Sequence, residues 1–529
     1  MSTSKEHPYL ISMLSSRQRW VFRALVLLWL AGVSAYLFWW FDPSHIITPG
    51  RYIFNTLLLL WSVILPGYYF YFVSRMLKSN PELVIPSSWR VAMVVTRAPS
   101  EPFSIVRPTL EAMLSQDHPH DTWLADENPT SEILAWCQSH GVFVCTRYRH
   151  PDYQRDTWPR RKKCKEGNLA FFYNYYGYSH YDFVAQLDAD HIPEPGYLQA
   201  MLRPFMDDRV GYVSAPSICD TNASSSWAAR ARLYAEATLH GSLQSGYTND
   251  WAPLCIGSHY AVRTSALFQI GGLGPELAED HSTSLLFNAF GWRGVHAIDA
   301  IAHGEGPATF ADAMIQEFQW ARSLVMLLLT VTPKIFHLLS PKKKLEFLFA
   351  QSWYPIFSLV MLSAFLLPLE AIWSSTPWVN IDYLEFILFS FPPMFMAIVI
   401  VAWIRHQGWL RPVNVPLISW EMILFQIARW PWVLWATVMA IATVVRNKNL
   451  EFRVTPKGVN NSSPIPLGII APYIFLGAIP AVFMLTITPA KAAHGYFYFA
   501  LLNSLIYTIL IFSVIYRHMA ENDYSIHKT

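Results

Sequence analysis

Asp188 and Asp190 flank Ala189 at the end of a short apolar run, in YDFVAQLDADHIPEPGY over residues 181–197. Side chains at i and i+2 of an extended chain point the same way, so both carboxylates can address one site. Two hard oxygen donors at a strand end suit Mg²⁺ or Mn²⁺ carrying a diphosphate. The same triplet also reads as an exposed acidic turn, so its chemistry depends on what surrounds it.

Several groups elsewhere supply surroundings. Thr96 and Glu101 follow one predicted strand and Asp126 follows the next. Carboxylates at adjacent strand ends can bind ribose hydroxyls or a uracil edge, or simply solubilise a loop. The basic run 160–163 reads as a solvated face, but Lys165 stands just before a Gly-Asn turn that opens a helix. Helix N-termini and lysines favour phosphate. Asp280 closes GLGPELAED at 272–280 and precedes a helical run at 281–290. It is either a cap or a general base for a hydroxyl, and a helix N-terminus would keep it ionised. Gln316, Gln319 and Trp320 lie in Q-E-F-Q-W. The tryptophan is an interfacial anchor or a platform for a sugar face, with the amides bonding hydroxyls. Residues 452–458 form a polar loop that is a linker or a lid over a bound diphosphate.

The elements that hold these residues divide into two kinds. The chain has 529 residues, 53% of them hydrophobic and only 14% charged, with 22 Trp. That composition belongs to a membrane protein with aromatic belts, and a net charge of +2 gives no nucleic-acid footprint. Runs of about 20 apolar residues cross a bilayer. Six are expected, at 21–41, 52–73, 345–372, 383–404, 465–486 and 496–516. Basic residues at Lys5, Arg17, Arg75, Lys78, Arg405, Arg411 and Arg517 place both termini and the intervening domain in the cytoplasm. The stretch 421–445 is long enough to span, but Arg429-Trp430-Pro431-Trp432 interrupts it and basic residues follow it. It is therefore expected to be an interfacial or re-entrant helix.

Between the spans, strand patterns at 91–96, 122–125, 142–145, 183–187 and 210–214 alternate with helical ones. Alternation of this kind predicts a mostly parallel α/β sheet with ligands beyond the carboxyl ends of its strands. The five cysteines, all between membrane segments, show no C-x-x-C pair and fit reduced thiols. The expected organisation is an N-terminal membrane segment at 1–80, an α/β domain at 81–312 and interfacial helices at 313–344. A C-terminal membrane domain at 345–529 follows, with the 421–445 helix and a loop at 450–463.

Taken together, the motifs resemble those of the family-2 membrane glycosyltransferases of the cellulose synthase and hyaluronan synthase type. The pieces are T-x(4)-E-P at 96–102, Asp126, K-x-G-N at 165–168, D-A-D at 188–190, C-I-G-S at 255–258 and Glu279-Asp280. F-x-V-T-x-K-G at 452–458 looks like the gating loop of cellulose synthases, with Phe452, Val454, Thr455 and Lys457 as its motif residues. The resemblance implies a Rossmann-like GT-A domain inserted between transmembrane helices, acting on a UDP-sugar with Mg²⁺ or Mn²⁺. It implies that Thr96, Glu101, Asp126, Lys165 and Asp188 bind the donor and that Asp188 and Asp190 hold the metal. Asp280 becomes the base of an inverting displacement, and Cys255, Gly257, Gln316, Gln319 and Trp320 contact the acceptor. The expected product is a growing β-linked polysaccharide passed through the bilayer. The alternative is a single sugar added to a lipid carrier or existing glycan. One departure stands out: Gln319 occupies the place of the arginine in Q-x-x-R-W, and a neutral amide does not replace a guanidinium.

Overall fold

The computed structural model describes residues 9–162, 164–275, 278–446, 465–487 and 494–526. The expected gating-loop residues Phe452, Val454, Thr455 and Lys457 lie outside the described residues.

Two long apolar helices come first, α1 (Ser16–Trp40) and α2 (Pro49–Val73). A two-stranded antiparallel ribbon, Leu10–Ser12 against Leu77–Ser79, ties their ends together before the chain enters the α/β domain. That domain runs through β1 (Val91–Arg97), α3 (Phe103–Leu114), β2 (Asp121–Asp126), α4 (Ser131–His140), β3 (Phe143–Cys145) and α5 (Lys165–Phe172). It continues through β4 (Phe183–Leu187), β5 (Val210–Ser214), α6 (Trp227–Thr238), β6 (His259–Arg263), α7 (Glu279–Ala289) and β7 (Arg293–His296).

The seven strands form one mixed sheet in the order β7-β5-β6-β4-β1-β2-β3. Strand β1 pairs in parallel with both β2 and β4, and β6 inserts antiparallel between β4 and β5. All seven residues of β1 are buried, as a central strand covered on both faces requires. Its alternate side chains separate accordingly. Val91, Met93 and Val95 pack with Val106 and Leu110 of α3 and Ile133 of α4, while Ala92 and Val94 pack with Leu169 and Phe172 of α5 and Phe287 of α7. The expected Rossmann-like GT-A arrangement is present. Strands β6 and β7 were not legible as strands, being short and carrying His259, Arg263, Arg293 and His296 at their ends.

After the domain come α8 (Phe310–Thr330), a short helix Thr332–Ile335, α9 (Pro341–Ser374), α10 (Tyr383–His406), α11 (Trp420–Arg446), α12 (Leu467–Thr486) and α13 (His494–Ile526). Thr309 starts α8 with a capping box, its hydroxyl and the Asp312 carboxylate satisfying each other's backbone donors. Among the described residues, seven helices are long and apolar enough to cross a membrane, against the six expected. The addition is α11, which is one continuous helix rather than a broken one. Its central charge is matched inside the protein: Arg429 reaches Glu317 of α8 at 3.4 Å and lies over the Phe357 ring. Pro431 sits within the helix without breaking it. Helix α8 and the following turn are bent by 43° at their junction.

Candidate active site

The site is assembled at the carboxyl ends of β1, β2 and β4. Asp126, the last residue of β2, is fully buried, and its Oδ2 accepts from Arg97 Nη1 of β1 at 2.9 Å. The Asn128 N–H donates to Asp126 Oδ1 at 2.9 Å, so both oxygens are oriented. Thr96 is buried beside it, and Glu101 folds back to accept from the Ala98 N–H at 2.8 Å. Asn168 of α5 ties that helix to the end of β2 through the Ala125 carbonyl at 2.8 Å. The basic loop before α5 is ordered from within. Buried Arg147 donates to the Tyr153 and Arg161 carbonyls and pairs with Glu127, and Glu166 accepts from the N–H groups of Arg160 and Arg161.

Lys165 is the first residue of α5, and its Nζ donates to Asp188 Oδ1 at 2.7 Å and to the Gly257 carbonyl at 2.6 Å. The antiparallel pairing of β6 explains why Gly257 is there. Register His259 opposite Leu187 brings the loop before β6 to the end of β4, and the Asp188 N–H donates to the Ser258 carbonyl at 2.7 Å. Cys255 itself is buried in the apolar cluster with Tyr260, Leu273 and Phe287.

The turn carrying Asp188 and Asp190 is pinned by Thr109, whose hydroxyl donates to the Ala189 carbonyl at 2.8 Å. Asp190 Oδ2 accepts from the Glu305 N–H at 3.0 Å, and Oδ1 lies 3.2 Å from His191 Nδ1. Ligand atoms of Asp188, Asp190 and His191 all lie within 4.8 Å of one another. Two carboxylates and an imidazole are a donor set that fits Mn²⁺, and the carboxylates alone fit Mg²⁺. His191 was not singled out from sequence, since its role depends on Gly304. A Cβ at Gly304 would fall 2.2 Å from the His191 ring.

Glu279 and Asp280 open α7. Asp280 Oδ2 lies over Gly257, 3.1 Å from where a Cβ would stand, and Oδ1 accepts from the His281 N–H at 2.8 Å. Burial pushes both carboxyls above the usual carboxylate range, with Lys165 opposing the shift in each. Ser284 within the helix ties it to the loop before β6, its hydroxyl donating to the Asp280 carbonyl and accepting from the Cys255 N–H. Ser258 Oγ, Tyr260 OH and Glu279 Oε1 are buried without a hydrogen-bond partner among the described residues. Lys165, Asp188, Gly257 and Asp280 therefore converge on one place.

Gln316, Gln319 and Trp320 lie together on α8. Arg232 of α6 donates to Gln316 Oε1 at 2.7 Å, and its guanidinium carbon sits 4.5 Å from the Trp320 ring centroid. This arginine escaped the sequence reading because it lies 84 residues before Gln316. Arg322 instead stands over Phe318. Cys219, 3.9 Å from His191 Nε2, lies within the field of Arg232, which links the α8 group to the aspartate turn.

The model of glycosyl transferase family group 2 matches residues 183–516, and the chain belongs to that family. It is a glycosyltransferase. Among curated relatives, cellulose synthase 1 of Komagataeibacter xylinus is 24% identical over 409 residues, covering 74% of this chain and 24% of the relative. The UDP-forming cellulose synthase 1 catalytic subunit of the same organism is 23% identical over 385 residues, covering 70% of this chain and 48% of that one. The chain thus spans between about a quarter and about half the length of these relatives. Among solved structures, the mannosyltransferase PcManGT from Pyrobaculum calidifontis, in complex with GDP-Man and Mn²⁺, is similar over 95% of this chain and 99% of its own, with 12% identity and a TM-score of 0.37.

Proposed function

We propose that the chain is an inverting, metal-dependent transferase that adds sugars from a UDP-sugar to a growing β-linked polysaccharide and passes the product across the membrane. The observation that carries this reading is the convergence of Lys165, Asp188 and Asp280 around Gly257 at the strand ends. A site that binds a nucleotide diphosphate and a site that removes a proton are there one and the same.

The roles follow from the chemistry of each group. Asp126, fixed by Arg97, faces the nucleoside with Thr96 and Glu101 close by. Lys165 neutralises the diphosphate, and its position at the first turn of α5 adds the helix N-terminus to that charge. Asp188 and Asp190, with His191 beside them, would hold Mg²⁺ or Mn²⁺, which stabilises charge on the leaving UDP. Asp280 accepts the proton from an acceptor hydroxyl. The oxygen of that hydroxyl attacks the anomeric carbon from the face opposite UDP, the carbon–oxygen bond to phosphate breaks, and UDP leaves with the electron pair. The proton stays on Asp280 until solvent removes it. A carboxylate whose burial raises its proton affinity is the better base for this step.

Gln316, Gln319 and Trp320 are read as the acceptor side, with Cys255 shaping the loop that presents Gly257. Helix α11 packs along α8 and α9 and against α6 of the α/β domain; with α11 at the cytoplasmic interface, six helices cross. That arrangement keeps both termini, the α/β domain and Arg446 on the cytoplasmic side of an inner membrane. Incubating the purified protein with several UDP-sugars and Mn²⁺ and sizing the product tests the proposal. A long polymer supports it, a single sugar on lipid supports the non-processive alternative, and no UDP release from any donor contradicts both.

A further inference from the structure

His281, one residue after Asp280, takes no direct part in the reaction above, yet it is buried. Its ring meets the edge of Phe347 on α9, with centroids 5.5 Å apart at 87°. Its Nε2 lies 3.1 Å from Gln351 Nε2, also on α9. Gln351 is completely buried, and its Oε1 accepts from the Thr332 hydroxyl at 2.8 Å, at the bend between α8 and the helices that follow. Three elements thus meet in one hydrogen-bonded line that runs from the α7 first turn into the apolar helices.

The direction of that line is what matters chemically. With Thr332 donating to the amide oxygen, the amide nitrogen of Gln351 can only donate, and His281 Nε2 must accept. An imidazolium has no acceptor nitrogen, so with the Gln351 amide in this orientation the ring is neutral and protonated at Nδ1. We infer that Gln351 and Thr332 are positioning residues that hold His281 neutral and thereby keep a positive charge away from Asp280. The inference rests on Asp280 being the base. Burial acts in the same direction, lowering the His281 pKa to about 4. Among the described residues, the other ionisable groups around Asp280 are Glu279 on its own helix, Lys165 of α5, Asp188 after β4, and Cys255 and Tyr260 before and on β6. On the opposite side, α9 carries Lys343 and Glu346, and the latter accepts from the Ala252 N–H at 2.8 Å. Among the described residues Lys165 supplies a cation to the base, and the line through Gln351 keeps His281 from adding another.

Two measurements test this. In ¹⁵N-histidine spectra of the full-length protein, with the His281→Gln spectrum subtracted, the ring should be neutral and protonated at Nδ1 from pH 5 to 8. An imidazolium at pH 6, or a proton on Nε2, would overturn the inference. In pH–rate profiles of UDP release from UDP-glucose with Mn²⁺, Gln351→Glu should favour the imidazolium. It should move the acid limb down by about one to three pH units and lower the plateau rate. Thr332→Val, which frees the amide to turn, should shift it less in the same direction. Profiles that superimpose on wild type, while Asp280→Asn is inactive, would refute the positioning role and leave Asp280 as the base. Transfer by Asp280→Asn would remove the base itself and this inference with it.

Discussion

The Lys165 ammonium and the Asp188 carboxylate are joined at 2.7 Å across two elements that are separate in sequence, the first turn of α5 and the end of β4. Both are partly exposed, so the pair stands at the wall of the site rather than in the core. In the proposed function this pair sets a cation against the diphosphate before the donor arrives.

Lys165→Met should therefore weaken UDP binding. Hydrogen bonds to charged groups contribute about 1.5–3 kcal/mol, which corresponds to roughly a 10–150-fold rise in Kd. Titration calorimetry with UDP and Mn²⁺ measures this. An unchanged Kd would remove Lys165 from the donor site.

Metal dependence should reside in the aspartate turn. Chelation should abolish transfer in the wild type and added Mn²⁺ should restore it. Asp190→Asn, which can still accept from the Glu305 N–H, should not be rescued at the same Mn²⁺ concentration. Full activity in the presence of chelator would contradict the assignment of Asp188, Asp190 and His191.

The pH dependence follows from burial. A base works only when ionised, so the rate should rise with pH as the Asp280 carboxyl loses its proton. Because burial raises that proton's affinity, the acid limb should lie above the ordinary aspartate value of about 4. A rate constant down to pH 4 would show that another group accepts the proton.

Gly257 tests the geometry without touching a charge. A methyl group there would stand 3.1 Å from Asp280 Oδ2, so the carboxylate must shift by a few tenths of an ångström. Gly257→Ala should lower kcat by about tenfold or more, since small displacements of reacting groups are costly, and leave UDP affinity close to wild type. Equal loss in both would mean that the loop folds differently.

Much of this site could be read before any fold was known, and the reasons differ from residue to residue. Strand β4 and its following aspartates were legible because an apolar run ends abruptly in two like charges at period two. The placement of Gly257 was not, because it depends on an antiparallel strand of five residues whose pairing partner is 72 residues earlier. Arg232 reaches Trp320 and Gln316 from another helix, and no local pattern announces such a contact. The continuity of α11 was missed for a related reason. Arg429 in an apolar run looks like an interruption until Glu317 is placed against it, and that pairing spans 112 residues. His191 became a candidate ligand only when Gly304 was seen to make room for it.

In the proposed mechanism Asp280 removes the acceptor proton in the same site that binds the donor. Measuring transfer and UDP binding together in Asp280→Asn tests it most directly. Transfer should fall by about 10²–10⁴-fold, the usual contribution of a positioned base, with UDP affinity near wild type. Transfer at the wild-type rate would contradict it.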